Sequence, residues 1–470
     1  MSKELEKEMH QLYYQVPGTW FGDCMPFAHD GKFYLFHQRD NRNPVPFGEP
    51  FGWSLSVTED FVHYEDYGTV IPGGADEEQD QFIFAGSVFE AEGRFHSFYT
   101  GYNREYEKQG KKPQVLMHAM SDDLIHWEKC KGSLTFTPQA GYDPGDWRDP
   151  FVLWDKERRE YLLILGTRKM SPKTAQTGCT VYFTSKDLKK WSFKGDFYAP
   201  GIYTMHEMPD LFRMGDWWYH IFSEYSDRDK MVYRMAKSLH GPWIAPKEEA
   251  FDGRAYYAAR TCELDKKRYL FGWLPTRENN EDTGNFQWAG VFVPHEVWQR
   301  EDGTLGVMPP DTLWQAFGRE RILPEREAAC GDGRAAVRIG SSREELFRLE
   351  MEIEAGEGTK DFGLRFLENE ETGQSYQYHF CLHENRVIFE KNPNWPWFQC
   401  MNLGLERQLP TPEGGRFHIR FIKDGTACVL YVNGTALSSR CYEAPGEGIS
   451  VFVTQGKICV RDISIAEGLV

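Results

Sequence analysis

Three acidic residues stand where they can act together chemically: Asp23, Asp149 and Glu207. Each lies within a few residues of a Trp, Arg or His. If the three carboxyl groups converge on one partly desolvated pocket, they repel one another and their pKa values separate. One group then stays protonated as an acid while another stays ionised as a nucleophile or base. These residues therefore predict a site for acid-catalysed glycoside cleavage.

The neighbours of these acids indicate how such a pocket is completed. Arg148 precedes Asp149 and can keep that carboxylate ionised through a charge-assisted hydrogen bond. The aromatic residues Trp20, Trp53 and Tyr257 are candidates to line a sugar subsite. A single Asp or Glu in such a chain is more often a turn residue, and a single aromatic residue more often belongs to the core. The functional interpretation therefore depends on the acids occupying equivalent places in a repeated fold.

The elements that position these residues form an internal repeat. A hydroxyl residue, an Asp two positions later and a final aromatic residue recur at 58–64, 121–127 and 185–191, with a weaker copy at 237–243. The first three copies start 63 and 64 residues apart, and each follows an alternating apolar run. The hydroxyl and the Asp predict a turn, which the aromatic residue pins to the next strand.

Upstream of each copy lies a second shared unit, two strands around a turn such as Asp30-Gly31, where tight hairpins favour positive φ. Each full repeat therefore predicts about four strands, and four-stranded units in series are typical of propeller blades. We predict an all-β fold in which residues 1–310 form a five-bladed β-propeller catalytic domain. A sandwich with long insertions is the alternative. In the propeller, the three acids fall at equivalent entries of innermost strands.

The pattern changes after Pro309-Pro310. Residues 311–335 are charged and predict a linker, and 336–470 return to alternating segments separated by turns. This rhythm predicts a C-terminal β-sandwich domain. The aromatic run at 394–398 is expected to pack against the propeller or another subunit, and sugar binding is its alternative use. A homo-oligomer is therefore a possible assembly.

Composition narrows the classes of partner. The net charge of −17 argues against nucleic acid and against an anionic membrane surface. A small-molecule or oligosaccharide substrate remains. No run of about 18 apolar residues and no signal-peptide core is present. The 10 cysteines are scattered, without Cys-x-x-Cys pairs or zinc-like spacing with histidine. We therefore expect reduced thiols and a cytoplasmic location.

The ordered motifs resemble glycoside hydrolase family 32, the invertases, levanases and inulinases, over essentially the whole chain. The family's Arg-Asp-Pro stands at 148–150, and its Glu-Cys-Pro-Asp-Leu-Phe is similar to Glu-Met-Pro-Asp-Leu-Phe at 207–212. Its Phe-Ser-Gly-Ser is similar to Phe-Ala-Gly-Ser at 84–87, and its Tyr-Tyr-Ala-Ala-Gln to Tyr-Tyr-Ala-Ala-Arg at 256–260. In the first motif, at 20–26, the family's Trp and Asp are kept, and both of its Asn residues and its Pro are replaced.

By this resemblance, Asp23 is the nucleophile, Glu207 the general acid/base and Asp149 the group that grips sugar hydroxyls in the transition state. The further pocket residues that the resemblance implies are Gln38, Trp53, Phe84 and Ser87. It also implies retention of configuration, no metal or cofactor, and a terminal β-fructofuranoside as substrate. Two alternatives stay open: an enzyme of the family 43 or 68 type, such as an inverting arabinosidase or xylosidase, and a carbohydrate-binding protein without turnover.

Overall fold

The computed structural model describes residues 10–130, 136–172, 174–226, 229–393 and 404–470. Strands dominate these residues, which confirms the predicted all-β fold. Within these ranges the helical elements are one short α-helix, α1 (Asp311–Gln315), and three 3-10 turns (Glu278–Asn280, Leu382–Glu384 and Glu413–Gly415). In the described part of the chain no helix is long and apolar enough to cross a membrane. The run at 394–398 lies outside the described residues.

The first part of the chain folds into consecutive antiparallel units, numbered here in chain order. Unit 1 contains β1 (Trp20–His29), β2 (Lys32–Asp40), β3 (Trp53–Thr58) and β4 (Glu65–Ile71). Unit 2 contains β5 (Phe82–Ala91), β6 (Arg94–Tyr102), β7 (Gln114–Ser121) and β8 (Trp127–Lys129). Unit 3 contains β9 (Tyr142–Asp155), β10 (Glu160–Lys169), β11 (Gly178–Ser185) and β12 (Trp191–Tyr198).

Unit 4 contains β13 (Glu207–Met214), β14 (Trp217–Glu224) and β15 (Lys230–Ala236). Unit 5 contains β16 (Tyr257–Leu264), β17 (Lys267–Arg277), β18 (Phe286–Gln299) and β19 (Leu305–Met308). In each unit sequential strands are neighbours in the sheet. Units 5 and 1 merge into one eight-stranded sheet, because β18 pairs with β1 at Gly290 and Phe21. The last unit is thereby joined to the first.

The repeated turn motif forms as the sequence predicts. In unit 2, Ser121 Oγ accepts hydrogen bonds from the backbone N–H groups of Asp123 and Leu124. The Asp123 carboxylate accepts from the next two N–H groups, and Trp127 donates its indole N–H to the Leu124 carbonyl. The same contacts recur around Thr58 and Asp60 and, for the most part, around Ser185 and Asp187. The turn prediction is therefore confirmed at atomic level.

The C-terminal strands form one sheet that folds into two layers. They are β20 (Arg321–Ile322), β21 (Arg326–Ser341), β22 (Leu346–Ala355), β23 (Asp361–Glu368), β24 (Ser375–Cys381), β25 (Arg386–Asn392), β26 (Glu406–Gln408), β27 (Arg416–Asp424), β28 (Ala427–Val432), β29 (Thr435–Arg440) and β30 (Gly448–Glu467). The first half of β30 pairs with β23, and its second half pairs with β22. At the change of partner Gln455 and Gly456 both have positive φ, so the long strand bends and takes part in both layers of a β-sandwich.

The sandwich also supports the first part of the chain. Arg440 donates to the backbone carbonyls of Leu274 and Pro275 on β17 over 2.9 and 2.6 Å. Ser438 donates through its N–H and its hydroxyl to the buried carboxylate of Asp252. The predicted linker holds α1 and the start of β21, which pairs with β30 from Arg326 onward. The sandwich sheet therefore takes up residues before 336.

Candidate active site

The first strand of every unit is irregular near its start. The pairing register shifts there, and the resulting bulge breaks the ladder and changes the direction of the local side chains. The shifts fall at Phe21/Cys24, Phe84/Gly86, Arg148/Phe151, Glu207/Asp210 and Tyr257/Arg260. All three predicted acids stand at or inside these bulges. The equivalent places that the sequence indicates are therefore places where the strand geometry is interrupted.

In units 3, 4 and 5 the bulge includes a residue with left-handed backbone. Asp149 has φ 62°, Met208 φ 51° and Ala258 φ 53°. Such a conformation costs roughly 1–3 kcal/mol for a residue other than glycine. Hydrogen bonds hold two of these residues in place: Met208 N–H donates to Asp149 Oδ2 over 3.0 Å, and Ala258 N–H donates to Ser223 Oγ over 3.1 Å. These strained residues lie where side chains must point into a shared space.

That shared space is a cavity of about 120 Å³ at the meeting point of the bulged strands. Of the residues predicted from the sequence, it is lined by Asp23, Gln38, Phe84, Arg148, Asp149, Glu207 and Tyr257. The walls are completed by Phe47, Met208, Ala258 and Trp288. The structure therefore brings the three acids together with four of their predicted companions.

Glu207 is the most heavily bonded of the three acids. Its Oε1 accepts from Arg148 Nη2 over 2.5 Å and from Arg148 Nε over 3.2 Å. Its Oε2 accepts from the Tyr257 hydroxyl over 2.6 Å. Arg148 also donates to Asp146 over 2.7 Å, which fixes the guanidinium from the other side. The two oxygens of Glu207 therefore have different partners, one a cation and the other a neutral hydroxyl.

Electrostatics separates Asp23 from an ordinary carboxyl group. Burial raises the pKa of Asp23 to about 8, and the nearby Asp149 and Glu207 carboxylates add to the rise. Burial also raises the pKa of Asp149, to about 6, against the lowering effect of Arg148. The indole N–H of Trp273 donates to Asp23 Oδ1 over 3.0 Å and favours the ionised form. Asp23 and Asp149 therefore keep their protons to a higher pH than isolated carboxyl groups do.

Three predicted pocket residues stand behind the cavity wall. Trp53 has no exposed surface and donates its indole N–H to the Phe84 carbonyl over 3.1 Å. Ser87 is buried, and its hydroxyl accepts from Val152 N–H over 3.2 Å, a contact between units 2 and 3. The ring of Trp20 lies under the Arg42 guanidinium at 4.2 Å. These residues support or flank the wall and do not line it.

A second cavity, of about 230 Å³, adjoins the first and shares Glu207, Tyr257 and Trp288 with it. It is here called the outer chamber. Its other walls include Tyr225, Asp229, Arg254, Trp273, Pro275 and Phe286. Within it, Arg254 pairs with Asp229 at 2.8 Å. Because Glu207 stands between the two cavities, it can serve a bond that spans them.

Sequence reasoning missed Phe47, Trp288 and most of the outer chamber. Trp288 lies close over Gly22, where an added Cβ would come within 2.7 Å of the Trp288 ring. Only glycine permits that approach beside Asp23. The sequence signal that could have indicated this wall is the pair of aromatic residues at 286 and 288, which share one face of β18. A pattern within β18 alone does not reveal that the start of this strand contacts unit 1.

The lining of the inner cavity supplies carboxylates, an amide and a guanidinium, without the His or Cys groups that a zinc site uses. The described residues do contain one cluster of His, Cys and carboxylate groups with metal-ligand spacing, Asp361, His379 and Cys381. It lies on β23 and β24 of the sandwich, in a different part of the molecule from the cavity.

Comparison with known proteins agrees with this geometry. The family described as "Glycosyl hydrolases family 32 N-terminal domain" matches residues 14–309. The levanbiose-producing levanase of Bacillus subtilis (strain 168) is 28% identical, over 99% of this chain and 92% of its own. The sucrose-6-phosphate hydrolase of Escherichia coli is 21% identical, over 93% of this chain and 88% of its own.

Among solved structures, fructan 1-exohydrolase IIa from Cichorium intybus, in complex with 1-kestose, has the same fold. Its TM-score is 0.79 at 15% identity, and the match covers 99% of this chain and 98% of that one. The likeness extends over the sandwich as well as the units that build the cavity. With a family match over more than half of its length, this chain belongs to glycoside hydrolase family 32 and is a fructofuranoside-cleaving hydrolase.

Proposed function

We propose that the chain removes a terminal β-fructofuranosyl unit by a retaining double displacement, with Asp23 as nucleophile and Glu207 as acid/base. The observation that carries this proposal is the convergence of Asp23, Asp149 and Glu207 on one cavity of about 120 Å³. Asp149, held by Met208 N–H, is placed to accept hydrogen bonds from sugar hydroxyls. The seven predicted residues of the lining support the same assignment.

In the first step the Asp23 carboxylate attacks the anomeric carbon and forms a glycosyl ester as the bond to the leaving oxygen breaks. Glu207 gives its proton to that oxygen, and the alcohol departs. Arg148 donates twice to Oε1 of Glu207, so we assign the proton transfer to Oε2, the oxygen that has no cation beside it. In the second step the Glu207 carboxylate takes a proton from water. The water oxygen then attacks the anomeric carbon and releases Asp23.

The arrangement of units supports a propeller with five blades. Units 1 to 5 each contribute the bulged start of their first strand to one region, and β18 of unit 5 pairs with β1 of unit 1. Closure of the last unit on the first is the way a propeller protects its edges. Unit 4 has three strands, and isolated bridges from Val232 and Met235 take the place of its fourth.

The outer chamber favours a neutral leaving group. Among the described residues of its lining, the cation is Arg254, which is already paired with Asp229 at 2.8 Å. A phosphate on the leaving sugar would have to compete with Asp229 for that guanidinium, whereas an uncharged ring can stack on Phe286 or Trp288. Of the activities named for the two relatives, that of the levanase therefore suits this chain better than that of the sucrose-6-phosphate hydrolase.

The test is a panel of β-fructofuranosides, arabinosides, xylosides and 6-phosphorylated sucrose, assayed with the wild-type chain. We expect release of fructose from unphosphorylated fructosides, and proton NMR should find the retained anomer first. An inverted first product would assign the chain to the family 43 mechanism. Binding without turnover across the panel would identify a carbohydrate-binding protein. Asp30→Asn, at the exposed hairpin turn seven residues from the nucleophile, is the matched control for Asp23→Asn.

A further inference from the structure

A second cluster of reactive side chains lies in the sandwich, on two neighbouring strands. His379 and Cys381 are two residues apart on β24 and therefore point to the same face of the sheet. Asp361 on β23 is the direct cross-strand partner of Cys381. In regular antiparallel register these three side chains must share one face. They are called here the sandwich cluster.

The donor atoms of the sandwich cluster are those that zinc prefers. One carboxylate oxygen of Asp361, one ring nitrogen of His379 and Sγ of Cys381 all lie within 4.8 Å of one another. In a tetrahedral zinc site, ligand atoms are separated by roughly 3.3–3.8 Å, given bonds of about 2.0–2.3 Å. Asp361 and Cys381 are only 6% and 5% exposed. A small movement of the three donor atoms toward one another would place them at three corners of a tetrahedron.

The imidazole of His379 is oriented as metal-bound histidines are. Its Nε2 is buried, lies 3.7 Å from Asp361 Oδ2 and has no hydrogen-bond partner among the described residues. Its Nδ1 lies 3.4 Å from Glu390 Oε2, and Gln377 donates to the same oxygen over 2.8 Å. A carboxylate behind one ring nitrogen, with the other nitrogen free to ligate, is the usual outer arrangement of a metal site.

The Asp361 carboxylate is fixed in the same way. Its Oδ1 is hydrogen bonded to His383 Nδ1 at 2.8 Å, which leaves Oδ2 facing His379. His383 follows β24 in the 3-10 turn and is half exposed. Without a cation, this buried ring nitrogen is left beside a carboxylate but outside hydrogen-bonding distance.

We propose that Asp361, His379 and Cys381 bind a divalent transition-metal ion of the zinc type, with water in the fourth position. Glu390 and His383 are positioning residues for the ligands. The ion ties β23 to β24 and neutralises the carboxylate and thiolate that face each other across the two strands. Its role is structural, because the cluster belongs to the sandwich while the inner cavity is lined by residues of units 1 to 5.

The test uses the full-length chain, stripped of metal with a chelator and titrated with Co²⁺ as a spectroscopic probe. We expect one Co²⁺ per chain, a thiolate-to-cobalt charge-transfer band in the near ultraviolet and displacement of the band by Zn²⁺. Cys381→Ser should abolish the band. Cys330→Ser, a change at a cysteine on β21 outside the cluster, should keep it.

Two further variants keep the test decisive if Cys381→Ser fails to fold. His379→Gln should lose the bound ion, and Glu390→Gln should weaken Co²⁺ binding by about 10–100-fold, as changes behind a ligand do. Fructoside turnover should stay within error of wild type in every variant that folds. Absence of the band, or a band that survives Cys381→Ser or His379→Gln, overturns the proposal and identifies a hydrogen-bonded cluster without metal.

Discussion

The inner cavity and the sandwich cluster gather reactive side chains in opposite ways. The cavity takes each acid from a different unit, at a point where the strand register breaks. The sandwich cluster takes its three members from two adjacent strands in unbroken register. Broken register lets residues far apart in the chain meet at chosen angles, whereas regular register places ligands at fixed spacing. The first arrangement suits chemistry on a bound substrate and the second suits a fixed ion.

The two regions also differ in how they manage charge. In the cavity, Asp23 and Asp149 have raised pKa values, and Arg148 is committed to Glu207. Burial, together with repulsion among the three carboxylates, raises the pKa values of Asp23 and Asp149 towards neutral pH. A group that gains or loses a proton near neutral pH is useful to the reaction. In the sandwich cluster the proposed ion would remove the repulsion. Function in the first region therefore opposes stability, and in the second it adds to stability.

The largest expected effect follows from removing the nucleophile. Asp23→Asn keeps the shape of the side chain and its contact with Trp273 but cannot form the glycosyl ester. We expect turnover of a fructoside to fall on the order of 10⁴-fold or more, as it does when covalent nucleophiles are lost. Initial rates, with Asp30→Asn as control, measure this. Rates within about tenfold of wild type would mean that the broken-register site is not the catalytic one.

Removing the acid should have a smaller effect that depends on the substrate. Glu207→Gln is expected to lower turnover of natural fructosides by about 10²–10⁴-fold. An aryl fructoside with a good leaving group needs little protonation, so its first step should be much less affected. The ratio of the two losses is the measurement. Equal losses on both substrates would contradict the assignment of Glu207 as proton donor.

The hydrogen bond from Trp273 should set the pH dependence. Its indole N–H stabilises ionised Asp23, so Trp273→Phe should raise the pKa of Asp23 further above about 8. Because the nucleophile must be ionised, the acidic limb of kcat/KM should move to higher pH, and kcat/KM at pH 7 should fall about tenfold.

The matched control for that change is Trp298→Phe. The indole nitrogen of Trp298 has no hydrogen-bond partner among the described residues, and Trp298 does not line either cavity. A limb that moves equally in both variants would show that the shift comes from general loosening and not from the bond to Asp23.

What the sequence predicts well is local. The turns at Ser121 and its equivalents depend on hydrogen bonds within four residues, so one segment contains the whole cause. The repeat also predicts that the three acids share equivalent strand starts, and the structure brings them to one cavity, while their catalytic roles stay predictions. The sequence could not place Trp288, since its approach to Gly22 joins unit 5 to unit 1. Trp53 and Ser87 are also implied as pocket residues by the family motifs, but neither lines the inner cavity. The bulges determine which side chains face it.

The sandwich shows the same limit. The charged stretch 311–335 predicts a linker, but its last residues pair with β30 from Arg326 onward. The spacing of the cysteines in the sequence does not reveal the sandwich cluster. His-x-Cys is the spacing of two residues on one face of a strand, and the third member, Asp361, comes from the neighbouring strand. The cytoplasmic location and the oligomeric state stay predictions.

Charge in the cavity should also be visible in stability. Asp23 has a pKa near 8 in the folded chain against roughly 3.9 when unfolded, so the native state binds the proton more tightly. Stability from this group is present below about pH 4 and is lost as the pH rises through 8. Asp23→Asn should therefore be more stable than wild type over that window, and the gain should grow as the pH rises towards 8. Urea unfolding at several pH values measures it, and parallel curves for variant and wild type would contradict it.

The smallest expected effect concerns the scaffold and separates it from the site. Ser121→Ala removes the hydroxyl that accepts from Asp123 and Leu124, and leaves two N–H groups without that partner. We expect a loss of about 1 kcal/mol of unfolding free energy, the usual cost of such a hydrogen bond. Because the turn lies in unit 2 away from the bulge at Phe84, kcat and KM should be unchanged. Ser121→Thr, which keeps the hydroxyl, should recover most of the loss. A fall in kcat with stability intact would mean that the turns transmit position to the cavity, and that the repeat is part of the site rather than its frame.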